Sequence, residues 1–208
     1  MKLVVENLTC RRGQRTIFDD LSFSLAAGKG LLLTGANGSG KTTLLRMLAG
    51  FIEPAGGEVQ LEGGDEEREL AEQCHYIGHH NGIKHGFTVR ENLEFLAEFL
   101  GEETGMKHYE EALEIFNLYD LQDIPAGIMS AGQKRRLGLA RLVLIQRPVW
   151  FLDEPSVSLD VQSVEILAGV VSEHIRKGGL AIAATHVPLG LDFKDELVMG
   201  RGRRKSEH

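Results

Sequence analysis

The run Gly35-Ala36-Asn37-Gly38-Ser39-Gly40-Lys41-Thr42 constrains this chain more than any other. It fits the pattern G-x-x-x-x-G-K-[ST], and its surroundings fit too. Before it, Gly30-Leu31-Leu32-Leu33-Thr34 is a short apolar run, as expected of a buried parallel strand. After it, residues 40–50 place Leu44, Leu45, Leu48 and Ala49 on one helical face, with Gly50 as the stop. Glycines let such a loop curl so that successive N–H groups point inward at phosphate oxygens. The helix start adds its positive dipole end. Gly35, Ala36, Asn37, Gly38, Ser39, Gly40, Lys41, Thr42 and Thr43 are therefore the expected nucleotide-binding residues. Lys41 would reach the β- and γ-phosphates, and the Thr42 hydroxyl would ligate Mg²⁺. A glycine-rich turn matching by accident is the competing reading, and the strand–loop–helix context argues against it.

Val149-Trp150-Phe151-Leu152-Asp153-Glu154-Pro155 is a second apolar strand, ending in adjacent carboxylates. In a parallel sheet the carboxyl end of a strand faces the ligand crevice. Asp153 is expected to meet Mg²⁺ directly or through a water. Glu154 would point the other way and act as general base on the attacking water. Taken alone, the pair is equally well a solvated Asp-Glu turn. Beside a phosphate loop it is not.

The remaining pattern is β/α with an interruption. Residues 2–7 alternate weakly, 11–14 read as a turn, and Leu21-Ser22-Phe23-Ser24-Leu25 alternates with period two. Residues 54–57 read as a turn and 58–62 as a strand. Thr88-Val89-Arg90-Glu91 is a capping box, followed by Leu93, Leu96, Ala97 and Leu100 at helical spacing. Residues 109–118 repeat that spacing. A helical lobe is expected over 84–135, inserted in one domain spanning 1–208. A helix is then expected to run from Ser130 to Ile145, with a strand at 149–152, a helix at 161–177 and a strand at 180–185. The basic tail over 200–208 is expected to be mobile.

Composition narrows the partners. A net charge of −7 is unlike the basic excess of nucleic-acid binders. The two cysteines, Cys10 and Cys74, make neither a disulfide framework nor a metal cluster. Glu6 interrupts the start too early for a signal peptide. The apolar run over 137–145 is broken by Arg141 and is far shorter than the roughly 20 residues that cross a bilayer. Any membrane role is therefore expected to be peripheral.

With these residues in place, the chain resembles the ABC (ATP-binding cassette) ATPases over nearly its whole length. Met129-Ser130-Ala131-Gly132-Gln133 is similar to their signature Leu-Ser-Gly-Gly-Gln, Ser158-Leu159-Asp160 to the short loop after the acid pair, and His186 to their switch histidine. The resemblance implies an α/β fold: a P-loop NTPase (RecA-like) core, an N-terminal antiparallel β subdomain and an inserted α-helical subdomain. It also implies a head-to-tail dimer, each ATP lying between one chain's phosphate loop and the other's Ser130, Gly132 and Gln133, with Asp160 nearby. His186 would bond the γ-phosphate and hold Glu154 and the water in line.

Two departures concern ligands. Many cassettes stack adenine on an aromatic residue where this chain has Arg12, so either a guanidinium stacks instead or the base is loosely held. His79 stands where most members have a Gln that contacts the water or metal. Ala131 replaces a glycine of the signature and adds only a methyl.

Within the family, Ser130-Ala131-Gly132-Gln133-Lys134-Arg135-Arg136-Leu137, Tyr76-Ile77-Gly78-His79-His80 and Trp150 are similar to the haem-exporter ATPases of cytochrome c maturation. That implies an ATP-hydrolysing translocase subunit on the cytoplasmic face of the inner membrane. Its partners would be integral-membrane subunits and a periplasmic haem chaperone. The ATPase of another ABC export system is the alternative, followed by a cassette acting on nucleic acid or ribosomes. The latter usually carry two cassettes or a long coiled insertion, and neither is present in this sequence.

Overall fold

A computed structural model describes residues 1–101, 105–186, 190, 191, 193, 195–200 and 203–205. Most of the 200–208 tail lies outside the described residues.

The chain divides into two compact units. The first comprises Met1–Tyr76, Arg147–Pro155 and Val171–His208. In it, β1 (Lys2–Arg12) pairs antiparallel with β2 (Arg15–Ala26) and with β4 (Gly56–Glu62), giving a three-stranded sheet of order β2-β1-β4. Both β1 and β2 extend well beyond the alternating segments at 2–7 and 21–25. β1 does so by absorbing a register shift between Val5 and Leu8, where Asn7 takes φ 50°. The turn then narrows to Gly13 and Gln14, with Arg12 paired to Arg15.

The second sheet of this unit has six strands in the order β5-β6-β7-β3-β8-β9. These are β3 (Lys29–Thr34), β5 (Cys74–Ile77), β6 (Val149–Asp153), β7 (Leu180–Ala184), β8 (Asp195–Val198) and β9 (Arg203–Lys205). β6, β7, β3 and β8 run parallel. Every residue of β6 and β7 is buried, which is why these central strands read as unbroken apolar runs. Helix α1 (Lys41–Leu48) buries Leu44, Leu45 and Leu48, and Gly50 at φ 78° closes it. These residues join Leu31, Leu33, Phe151 and Ile182 in one core, with Cys10 a buried free thiol.

The second unit comprises Ile77–Gln146 and Ser156–Val170. It holds α2 (Val89–Phe99), α3 (Met106–Ile115), α4 (Ala131–Leu144) and the first part of α5 (Val161–Arg176). α2 starts on the Thr88–Glu91 capping box, with Thr88 Oγ1 accepting from Glu91 N at 3.1 Å. α3 begins and ends three residues earlier than the 109–118 periodicity suggested, because Asn117 adopts φ 52° and stops it.

Candidate functional site

The register of the parallel sheet builds the site. Asp153 pairs with Ala184, and Ala184 with Leu33, so β6, β7 and β3 end in one row. The residues that follow them, Glu154, His186 and the loop from Gly35, therefore emerge at one edge of the sheet.

The 35–42 loop has the conformation its glycines permit. Gly35, Gly38 and Gly40 lie at φ 127°, 77° and 101°. A Cβ at Gly35 would stand 2.6 Å from Met199 O, so the first glycine is required by close packing as well. Lys41 is buried, and its Nζ donates to Gly35 O at 2.7 Å and to Ala36 O at 3.3 Å. The N-cap Gly40 offers α1 no side-chain cap, and the buried Ser39 hydroxyl has no hydrogen-bond partner. An uncapped helix start, an orphaned hydroxyl and an ammonium held by loop carbonyls fit a polyphosphate anion.

Asp153, almost fully buried, accepts from Thr42 Oγ1 at 3.1 Å through Oδ1 and from Tyr76 Oη at 3.3 Å through Oδ2. Burial, reinforced by the Asp153 charge, pushes the Tyr76 phenol above its usual pKa. A hydroxyl beside a carboxylate is a hard-oxygen pair of the kind that holds Mg²⁺ with substrate phosphates. Among the described residues, no group of three or more His, Cys, Asp or Glu side chains could hold a metal ion.

Glu154 sits at φ 48°, unusual for a side-chain-bearing residue, with its N–H bonded to Ala184 O at 2.8 Å. Its carboxylate accepts from His186 N at 3.3 Å, and the His186 imidazole Nε2 lies 3.5 Å from Oε1. Thus Lys41, Thr42, Asp153, Glu154 and His186, with the 35–42 loop, all belong to the first unit. Arg12 belongs to it as well, exposed beside the β1–β2 turn.

The other expected residues lie in the second unit. Ser130 and Gln133 cap α4 reciprocally: Ser130 Oγ accepts from Gln133 N at 3.2 Å, and Gln133 Oε1 from Ser130 N at 2.8 Å. Gly132 has backbone against it, since a Cβ there would lie 2.9 Å from Ser158 O. The Asp160 carboxylate accepts from Ser163 N at 2.8 Å at the start of α5, and its hydrogen bonds to Ser163 lower its pKa. His79 is exposed, in a loop that Arg135 of α4 anchors through Gly78 O at 2.6 Å and Asn81 Oδ1 at 3.0 Å. Sequence reasoning missed the contact of Tyr76 with Asp153, because nothing local announces a bond between residues 77 apart.

The chain is similar to known proteins over nearly its whole length. Residues 18–157 match the ABC transporter family model. The chain is 46% identical over 200 residues to the cytochrome c biogenesis ATP-binding export protein CcmA of Bradyrhizobium diazoefficiens, covering 96% of this chain and 99% of that one. It is 48% identical over 205 residues to the protein of the same name from Rhizobium meliloti, covering 96% and 98%. A solved ATP binding subunit of an ABC transporter superposes with TM-score 0.85 at 23% identity, over 99% of this chain and 89% of the other. An ABC transporter ATP-binding protein from Pyrococcus furiosus gives 0.81 at 22% identity, over 96% and 98%; at such identities the likeness is one of fold. The chain belongs to the ABC transporter family, as an ATP-binding and ATP-hydrolysing subunit in the branch of the cytochrome c biogenesis ATP-binding export proteins.

Proposed function

We propose that ATP is held by Gly35, Ala36, Asn37, Gly38, Ser39, Gly40, Lys41, Thr42 and Thr43, and cleaved beside Asp153, Glu154 and His186. The observation that carries this reading is the single row formed by the ends of β3, β6 and β7, with Thr42 touching Asp153 and His186 touching Glu154. Loop N–H groups and the start of α1 receive phosphate oxygens, and Lys41 exchanges its loop carbonyls for the β- and γ-phosphates. Thr42 and Asp153 would hold Mg²⁺, which when bound would neutralise charge on those phosphates. Glu154 takes a proton from the attacking water as the water oxygen bonds the γ-phosphorus and the bond to ADP breaks. His186 keeps Glu154 oriented and bonds the γ-phosphate.

Ser130, Gly132 and Gln133, at the N-terminus of α4, offer a second anion site to the ATP of a second copy, in a head-to-tail dimer. Asp160 lies in the loop packed against Gly132. Arg12 stacks on adenine, and His79 contacts water or metal where most members use Gln. The segment 84–135 serves as the helical lobe of a single cassette.

The name shared by the relatives supports work in cytochrome c biogenesis, and haem export is the activity that the sequence resemblance implies. No helix among the described residues is long and apolar enough to cross a membrane. Integral-membrane subunits would supply the path, a periplasmic haem chaperone would receive the product, and this chain would sit peripherally on the cytoplasmic face of the inner membrane. Calorimetry tests the core of the proposal: Lys41→Ala should weaken ATP binding by about 10-fold or more, the scale of a lost charged hydrogen bond. An unchanged affinity would remove the loop from its role. Fractionation tests the rest, since a chain that leaves the membrane pellet even with its partner subunits co-expressed is no transport ATPase.

A further inference from the structure

The two oxygens of Asp153 have different partners. Oδ1 faces the Thr42 hydroxyl at 3.1 Å, while Oδ2 is held by the Tyr76 hydroxyl at 3.3 Å. Tyr76 is on β5, the neighbour of the strand that carries Asp153. Its ring meets Phe51 edge-on at 5.4 Å, and together with Arg46, Phe51 and Ile52 it lines a pocket of about 290 Å³. The Arg46 guanidinium is near enough to the same phenol to favour its ionised form, against the effect of burial and of Asp153. The phenol thus stands between a cation on α1 and the carboxylate at the end of β6.

A buried carboxylate with one oxygen bonded to a hydroxyl can still turn about its terminal torsion, which is soft. A donor on the second oxygen removes that freedom, and such outer partners control how well a ligand holds its metal. We propose that Tyr76 is a positioning residue of the ATP site, its hydroxyl fixing Asp153 so that Oδ1 and Thr42 Oγ1 present one ready-made pair of donors to a divalent cation. This rests on the assignment of Thr42 and Asp153 to the metal. It adds a residue that touches neither nucleotide nor metal and acts through Asp153.

Tyr76→Phe in the full chain deletes the hydroxyl and keeps the ring against Phe51. The readout is calorimetric binding of a non-hydrolysable ATP analogue, first in EDTA and then against rising Mg²⁺. The expected result is an affinity in EDTA within about two-fold of the parent, with the Mg²⁺ needed for half-maximal enhancement raised about 10-fold, the scale of a lost outer-shell partner. Asp153→Asn is measured alongside and should shift the Mg²⁺ requirement further. If Asp153→Asn shifts it and Tyr76→Phe does not, the role of Tyr76 is overturned and the site assignment stands. If Asp153→Asn leaves it unchanged, the metal assignment itself falls. Equal weakening by Tyr76→Phe with and without Mg²⁺ would mark Tyr76 as a packing residue and likewise overturn the inference.

Discussion

His186 reaches Glu154 twice, through its main-chain N–H to Oε2 at 3.3 Å and through its imidazole Nε2, 3.5 Å from Oε1. The two contacts are chemically separable, because only the second depends on the side chain. Glu154→Gln keeps the shape and the backbone bond to Ala184 but loses the basic oxygen. ATP should stay bound while turnover falls by about 10² or more, the scale of a lost general base. His186→Ala retains the main-chain donor and should cost less in turnover than Glu154→Gln. Single-turnover phosphate release measures both, and a Glu154→Gln enzyme of near-normal rate would take Glu154 out of the chemistry.

Gly132 and Ser158 are packed so closely that any side chain at 132 must push the backbone. A Cβ would lie 2.9 Å from Ser158 O, and Ser158 is itself at φ 69°. Gly132→Ala should lower stability by about 1–3 kcal/mol, the usual range for overpacking, readable by urea denaturation. Ser130→Arg, placed on an exposed cap, should fold normally yet block the ATP-dependent dimer of a Glu154→Gln background in light scattering. Normal dimerisation would refute the facing-signature arrangement.

His174 couples stability to pH. Its ring stacks on Trp150 at 3.7 Å and 6°, its Nε2 lies 3.2 Å from Leu180 O, and Gly179 leaves it room. Burial holds its pKa down at about 4 against 6.5 in an ordinary setting, partly offset by the Leu180 and Pro148 carbonyls. Between those values the unfolded chain carries a proton that the folded chain lacks, so folding is disfavoured as pH falls. The contribution is complete above about pH 6.5 and is lost progressively down to about pH 4, at most about 3 kcal/mol. His174→Phe, which preserves the stack, should flatten the urea midpoint across this window. Trp150, the one tryptophan, reports it by fluorescence.

Much of this site was legible along the chain because its chemistry is local. Glycine at positive φ, a lysine and a threonine in fixed order belong to one short loop, and the Ser130–Gln133 and Thr88–Glu91 caps each close within one helical turn. β6 and β7 were visible as apolar runs because both their faces are covered. β8 was not: Asp195-Glu196-Leu197-Val198 has neither a run nor a useful alternation, and its strand character comes from pairing with β3. Cys74–Ile77 is equally short, and its place beside β6 is set by the sheet.

Residue type and spacing along the chain therefore determined the phosphate loop and the helix starts, which neighbours in sequence satisfy, and the place of the acid pair at the end of an apolar strand. The tertiary structure alone decided which side chains meet: Thr42 and Tyr76 on the two oxygens of Asp153, His186 on Glu154, Ser158 against Gly132. Those contacts follow from parallel register and buried packing, which join strands far apart in sequence and leave no periodic trace in any one of them.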